Sequence, residues 1–153
     1  KPILIGCLFA ILFVTFSQFI LYPVLEALID FDNVDVELYN KLKGNTSFYI
    51  FILVMGWLIG GLYEEIVFHG FIFTRLEKMI PGKYATLLGF LCAAIFFGAY
   101  HIQLGGADAI NAFFAGGLYH ALSLYYKRDL WYGIFCHGAY NSIVITLLYL
   151  GYL

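Results

Sequence analysis

Long apolar stretches separated by short polar segments dominate the pattern of this 153-residue chain. The first stretch covers about residues 2–27 and has no charged side chain before Glu26. A polar segment at residues 30–46 follows, and a second apolar stretch covers about residues 48–73. About 20 apolar residues in a helix cross the ~30 Å hydrocarbon core of a bilayer. Each stretch therefore predicts a membrane-crossing helix.

Three further apolar stretches cover about residues 84–101, 107–126 and 130–153. Only helices and closed barrels satisfy their backbone polar groups inside lipid, and these lengths are helical. We therefore expect an all-α, polytopic transmembrane helix bundle with about five spanning helices. No repeat or linker divides the chain, which predicts a single membrane domain over residues 1–153. Its leading helix and polar loop lie in residues 1–47, and its motif-bearing core covers about residues 55–145.

Composition agrees with a membrane protein. The chain is 63% apolar and 12% charged, whereas soluble domains are roughly 45 to 50% apolar and about 25% charged. A net charge of -2 without a basic patch gives no support for nucleic-acid binding. The three cysteines are odd in number and lie in apolar stretches, so they indicate no disulfide framework. The chain begins without Met and lacks a signal-peptide cleavage site, and we expect it to be part of a longer protein.

Lysine and arginine residues are unevenly divided between the two predicted faces of the membrane. Only Lys41 and Lys43 fall on one face. The other face carries Lys1, Arg75, Lys78, Lys83, Lys127 and Arg128. Basic loops stay in the cytoplasm, so the second face is predicted to be cytoplasmic. We expect an integral multi-pass protein of a bacterial plasma membrane.

Two adjacent acids, Glu64 and Glu65, lie in the middle of the second predicted span. Charged side chains at that depth cost several kcal/mol unless they have partners or a polar cavity. Glu65 and His69 are four residues apart and share a helix face, so each can satisfy the other. The acid pair therefore indicates a polar site within the bundle.

Other polar residues within the spans complete this candidate site. His137 and Asn141 also have the four-residue spacing that places two side chains on one helix face. The economical arrangement gathers four side chains around one cavity: Glu64, His101, His137 and Asn141. Glu65 and His69 are then supporting neighbours of this group. His120 lies outside these pairs, close to two glycines, and is interpreted as a hydrogen-bonding residue at a helix contact.

Three short motifs occur in order inside the predicted spans: Glu64-Glu65-x-x-x-His69-Gly70, Phe97-x-x-x-His101 and His137-x-x-x-Asn141. In order and placement they resemble the motifs of the CAAX protease and bacteriocin-processing family, also called the CPBP or Abi family. The resemblance covers about residues 55–145. The family's first motif usually has an arginine where this chain has His69.

This resemblance implies an intramembrane endopeptidase that cleaves a membrane-associated or lipidated peptide within the bilayer. In a metal-free mechanism Glu64 is the general base, His101 holds the attacking water, and His137 and Asn141 donate hydrogen bonds to the oxyanion. In a metal mechanism His101 and His137, with Glu64 or a water, bind Zn²⁺. No His-x-x-x-His pair provides two ligands on one helix, so we favour the mechanism without a cofactor.

Two other functions are compatible with the same residues. The protein could be a catalytically inactive membrane scaffold or regulator of the same fold, which His69 in place of arginine favours. It could also be a transporter or a proton path, because glutamate and histidine chains in membranes serve as relays. A serine-protease mechanism is disfavoured, since Ser142 is the only serine near the motifs and no Gly-x-Ser-x-Gly sequence occurs.

Overall fold

The structure, a computed structural model, describes residues 1–28 and 40–153, and all regular structure in these residues is helical. The prediction of a helical bundle is confirmed. Most of the polar segment at residues 30–46 lies outside the described residues. Five long helices follow one another: α1 (Pro2–Leu28), α2 (Thr46–Met79), α3 (Ala85–Leu104), α4 (Gly106–Tyr125) and α5 (Trp131–Leu150).

Local signals set the ends of these helices close to the predicted apolar stretches. The side chain of Asn45 accepts a hydrogen bond of 3.1 Å from the backbone N–H of Phe48 and so caps the start of α2. Gly105, with φ of 118°, makes the sharp connection between α3 and α4. Gly151, with φ of 78°, ends α5 in the left-handed conformation that glycine adopts without a steric penalty.

Four of the five helices are long and apolar enough to cross a membrane, namely α1, α2, α3 and α5. Helix α4 also has 20 residues but is not in this group. Its buried face carries the polar side chains of Asn111, His120 and Ser123, which lowers its apolar character. The protein is therefore an integral membrane protein with a polytopic helical bundle.

Helix α5 is the centre of the bundle, since it packs against α1, α2 and α4. A buried cluster joins α1, α4 and α5, and its largest members are Phe13, Tyr119 and Tyr132. A polar connection crosses the same three helices: Ser17 donates a 2.7 Å hydrogen bond to Asn111, which donates one of 2.7 Å to Tyr140. Such buried bonds fix how the three helices fit together.

Helix α2 is unbroken, although its winding changes along its length. Residues Gly56–Ile72 are wound as a π-helix, in which backbone hydrogen bonds join residues five apart. The wider turn reduces the angle between successive side chains. Glu64 and Glu65 are successive residues of this segment, and both are buried.

Candidate active site

Glu64 faces two imidazole rings that come from two other helices. Its Oε2 atom lies 3.8 Å from Nε2 of His101 on α3 and 3.9 Å from Nε2 of His137 on α5. The residue is 6% exposed, and this oxygen has no hydrogen-bond partner. Separations of this size are too long for direct hydrogen bonds and suit a bridging water. The structure thus brings together three of the four side chains that the sequence gathers.

The second nitrogen of each imidazole has a partner that fixes the ring. Nδ1 of His101 lies 2.8 Å from the backbone carbonyl oxygen of Phe97, one turn earlier in α3. A carbonyl oxygen only accepts, so Nδ1 carries the proton and a neutral ring turns the lone pair of Nε2 toward Glu64. Nδ1 of His137 lies 3.0 Å from Oε1 of Glu65, and Tyr119 stacks on the His137 ring at 4.6 Å.

Glu65 connects His69, its partner on α2, to His137, which faces Glu64. Its Oε2 lies 2.8 Å from Nδ1 of His69, and its Oε1 accepts from His137. The side chain is completely buried. The sequence pairs Glu65 with His69 alone, because the four-residue spacing within α2 says nothing about a residue 72 positions away. Glu65 therefore holds two imidazoles, of which one faces Glu64.

Asn141 lies one turn beyond His137 on α5, and both approach Gly60 of α2. A Cβ atom at Gly60 would collide with Nδ2 of Asn141 and lie 3.1 Å from Nε2 of His137. Nδ2 donates a 3.0 Å hydrogen bond to the carbonyl oxygen of Gly56. An amide group has two N–H donors, so this bond orients the side chain and leaves one donor for another acceptor.

The donor atoms around Glu64 are farther apart than the ligands of a tetrahedral zinc site. Among the residues that the structure describes, no group of three or more His, Cys, Asp or Glu side chains is placed so that it could hold a metal ion. The orientations of the His101 and His137 rings would suit metal ligands, since each Nδ1 is hydrogen-bonded and each Nε2 is directed toward Glu64. The distances of 3.8 and 3.9 Å exceed the roughly 3.3 Å that separates ligands in a tetrahedral zinc site with bonds of about 2.0 Å.

Comparison with known proteins identifies the family of this chain. A family profile described as Rce1-like, type II CAAX prenyl endopeptidase, matches residues 46–143, which is more than half of the chain. The chain belongs to this family. The Rce1-like family consists of CAAX intramembrane endopeptidases, so membership supports a protease role in the membrane and agrees with the resemblance found in the motifs. No curated protein and no solved structure matches the chain.

Membership in the Rce1-like family covers all the residues gathered around Glu64, because α2, α3, α4 and most of α5 lie within the matched region. His120, next to this site, differs from the sequence-based interpretation. His120 makes no hydrogen bond in the described structure, although it was interpreted as a hydrogen-bonding residue. Its ring stacks on His69 with 5.0 Å between centroids. The spacing of residues along α4 contained no signal for that contact.

Proposed function

We propose that the protein is an intramembrane endopeptidase in which Glu64 activates water to hydrolyse a peptide bond of a membrane-associated or lipidated peptide. The observation that carries the proposal is the placement of a buried, unpartnered Glu64 oxygen 3.8 and 3.9 Å from two imidazole nitrogens. A general base must lie within hydrogen-bond reach of the water that it deprotonates, directly or through one water. A water between these three atoms would have that geometry.

In the proposed first step, a water bridges Glu64 and His101. It donates one hydrogen bond to the carboxylate and one to the lone pair of His101 Nε2. Glu64 takes its proton as the water oxygen attacks the carbonyl carbon of the peptide, and a tetrahedral intermediate forms. Glu64 then gives this proton to the leaving amine, so that one carboxylate acts as base and as acid.

The oxyanion of the intermediate needs donors that are already in position. Nε2 of His137 is a donor when both ring nitrogens carry a proton, and in that form Nδ1 donates to the carboxylate of Glu65. The amide of Asn141 supplies a second N–H, because its other N–H is engaged with Gly56. Both donors lie beside Gly60, where a Cβ atom would collide with Asn141, so glycine at this position allows the two side chains to approach α2.

The mechanism that we propose uses no metal. The alternative, Zn²⁺ held by His101 and His137 with Glu64, would require these side chains to approach one another, since no group of three described residues is placed to hold a metal. An inactive scaffold is favoured by His69, which stands where the family usually has arginine. The 2.8 Å contact between His69 and Glu65 weakens this alternative, because the supporting pair is retained. We place the protein in a bacterial plasma membrane.

The test is cleavage of a lipidated peptide by the purified protein in lipid nanodiscs. Glu64→Gln should lower kcat by about 10³-fold, within the 10² to 10⁴ that a general base contributes. Asn141→Ala should lower it about 100-fold, as does the loss of one oxyanion donor. Glu26→Gln is the matched control, because Glu26 lies exposed on α1, and it should cleave as fast as the unmodified protein.

A chelator added before the substrate should leave the rate unchanged. Loss of activity that returns with Zn²⁺ would replace the metal-free mechanism by the metal mechanism. Equal activity of Glu64→Gln and the unmodified protein would remove Glu64 from the reaction. No cleavage by the unmodified protein of any lipidated peptide would favour the scaffold.

A further inference from the structure

A cavity lies beside His69, the residue that is hydrogen-bonded to Glu65. Its volume is about 100 Å³, and it lies between α2, α4 and the start of α5. Phe73, Leu124 and Leu130 form part of its wall. The remaining wall includes five polar or charged side chains: His69, Thr74, His120, Ser123 and Arg128.

Four buried polar atoms of residues that line this cavity have no hydrogen-bond partner among the described residues: Nε2 of His69, both ring nitrogens of His120, and Oγ of Ser123. Each of these three residues is at most 3% exposed. A buried polar atom without a partner costs about 1 to 3 kcal/mol. Native proteins avoid this cost by hydrogen-bonding such groups to protein atoms or to ordered water. Four of them around one cavity therefore indicate a bound polar ligand.

Water is the ligand that these side chains fit. One water needs a cavity of about 10 to 15 Å³ and two to four polar partners, and a volume of about 100 Å³ holds several. Neutral His120 offers one donor and one acceptor, and the Ser123 hydroxyl offers both. A metal ion would find only two imidazoles here, without a third ligand of the His, Cys, Asp or Glu type among the described residues. An apolar ligand would leave all four atoms unsatisfied.

The cavity extends to the end of the bundle. Arg128, which lines it, is half-exposed and is held by two hydrogen bonds of 2.8 Å to Glu77 at the end of α2. This ion pair therefore lies where the cavity comes nearest to the surface of the bundle. In the predicted orientation this end of the bundle is cytoplasmic.

Hydrogen bonds connect the cavity to the candidate active site. Nδ1 of His69 is bound to Glu65, whose other oxygen is bound to His137. Water at Nε2 of His69 would keep that ring oriented toward Glu65. His120 stacks on the same ring at 5.0 Å, and Phe73 contacts His120 edge-on at 4.1 Å. The sequence of contacts from His120 to His137 thus passes through one imidazole and one carboxylate.

We propose that His69, His120 and Ser123 form a water-binding chamber, and that His120 is a positioning residue that acts through His69 and Glu65 on His137. The chamber itself follows from the unpartnered atoms and the cavity. The positioning role rests on the proposed function. The chamber can be tested without peptide cleavage, whereas the positioning role requires it.

Hydration is tested by thiol labelling. Cys7 and Cys92 are replaced by alanine, Ser123→Cys is introduced, and the native Cys136 is kept as the matched control because it is fully buried in the apolar cluster. Methanethiosulfonate reagents react with the thiolate, which forms in water and not in apolar surroundings. Methyl methanethiosulfonate should label position 123 at least ten times faster than Cys136. Equal rates in a correctly folded variant would overturn the chamber.

An experimental structure of the unmodified protein, at a resolution that shows water, gives the second measurement of hydration. It should contain ordered water within hydrogen-bond distance of Nε2 of His69 and of Ser123. A dry cavity would overturn the proposal even if the cysteine variant failed to fold. Neither measurement depends on peptide cleavage, so both decide the chamber if the proposed function is wrong.

The positioning role is tested by two replacements of His120. His120→Phe removes the hydrogen-bonding groups and should lower kcat about tenfold without a change in KM, because the substrate does not touch this residue. His120→Gln keeps a donor and an acceptor and should recover most of kcat. Gly117→Ala is the control on the same helix, because the nearest atom of another residue, in Phe90, lies 3.9 Å from the added Cβ. It should leave kcat and KM unchanged. Equal losses for the phenylalanine and glutamine variants, or a change in KM alone, would overturn the positioning role.

Discussion

Glu65 shows how a carboxylate is held inside a membrane protein by neighbours that share it. Each of its oxygens faces one imidazole, His69 at 2.8 Å and His137 at 3.0 Å, and the side chain is fully buried. Helix spacing is sufficient to predict the first contact, because both residues belong to one helix. It does not predict the second, which depends on how α2 and α5 pack. For the same reason His120, on α4, could not be associated with His69 from the sequence.

Two replacements of His69 show whether Glu65 needs any hydrogen-bond donor or needs an imidazole ring. His69→Leu leaves one oxygen of the buried Glu65 carboxylate unpaired, and the free energy of unfolding should fall by about 3 kcal/mol, the low end of the cost of breaking a buried ion pair. His69→Arg supplies a longer donor that can bind Glu65 and extend into the cavity of about 100 Å³, so stability and cleavage should be retained. Thermal unfolding and cleavage rates of both variants are compared.

An arginine variant that is as stable as the unmodified protein but does not cleave would contradict this assignment. It would place His69 among the residues that contact the substrate.

The place of helix α2 in the chain could be predicted from the sequence, whereas its winding could not. The apolar stretch at about residues 48–73 lies within the observed Thr46–Met79. The π-helical winding of Gly56–Ile72 has no recognisable pattern in the sequence, because it depends on contacts with neighbouring helices. Within this segment Glu64 faces His101 and His137, and Glu65 contacts His69 and His137.

The approach of α5 to Glu65 depends on Gly133. A Cβ atom there would lie 2.5 Å from Oε2 of Glu65 and 3.1 Å from the carbonyl oxygen of Tyr119. Gly133→Ala should therefore lower the free energy of unfolding by about 1 to 3 kcal/mol, as overpacking does. Gly117→Ala is the control in open space and should be neutral or stabilising by about 0.5 to 1 kcal/mol, since alanine favours helix. Chemical denaturation of both variants in the same detergent measures the difference.

Equal stabilities for the two alanine variants would mean that α5 can shift away from Glu65 without cost. The close contact at Gly133 would then not constrain the site.

The bundle as a whole requires that its two ends lie on opposite sides of a membrane. Helix α2 has 34 residues, more than the roughly 20 that cross the hydrocarbon core. Lys43 precedes its start, and Lys83 follows its end. The approximate positions of the long helices could be predicted from hydropathy, although α2 continues past its predicted end to Met79 and α4 is less apolar than the other four. Contacts among the helices could not be predicted, since apolar faces toward lipid and toward protein have similar compositions.

The orientation of the bundle is the remaining prediction, and it rests on the basic residues of its two ends. Lys43→Cys should react with a membrane-impermeant maleimide added outside intact bacterial cells. Lys83→Cys and Lys127→Cys should react only in inside-out vesicles, because six of the eight Lys and Arg residues fall on their predicted face. All three positions are exposed, so differences in labelling report the side of the membrane and not burial. Labelling of all three from one side would contradict the five-helix topology. Labelling of each from the side opposite to that expected would reverse the orientation and would move the end of the hydrated chamber beside Arg128 to the outer face of the membrane.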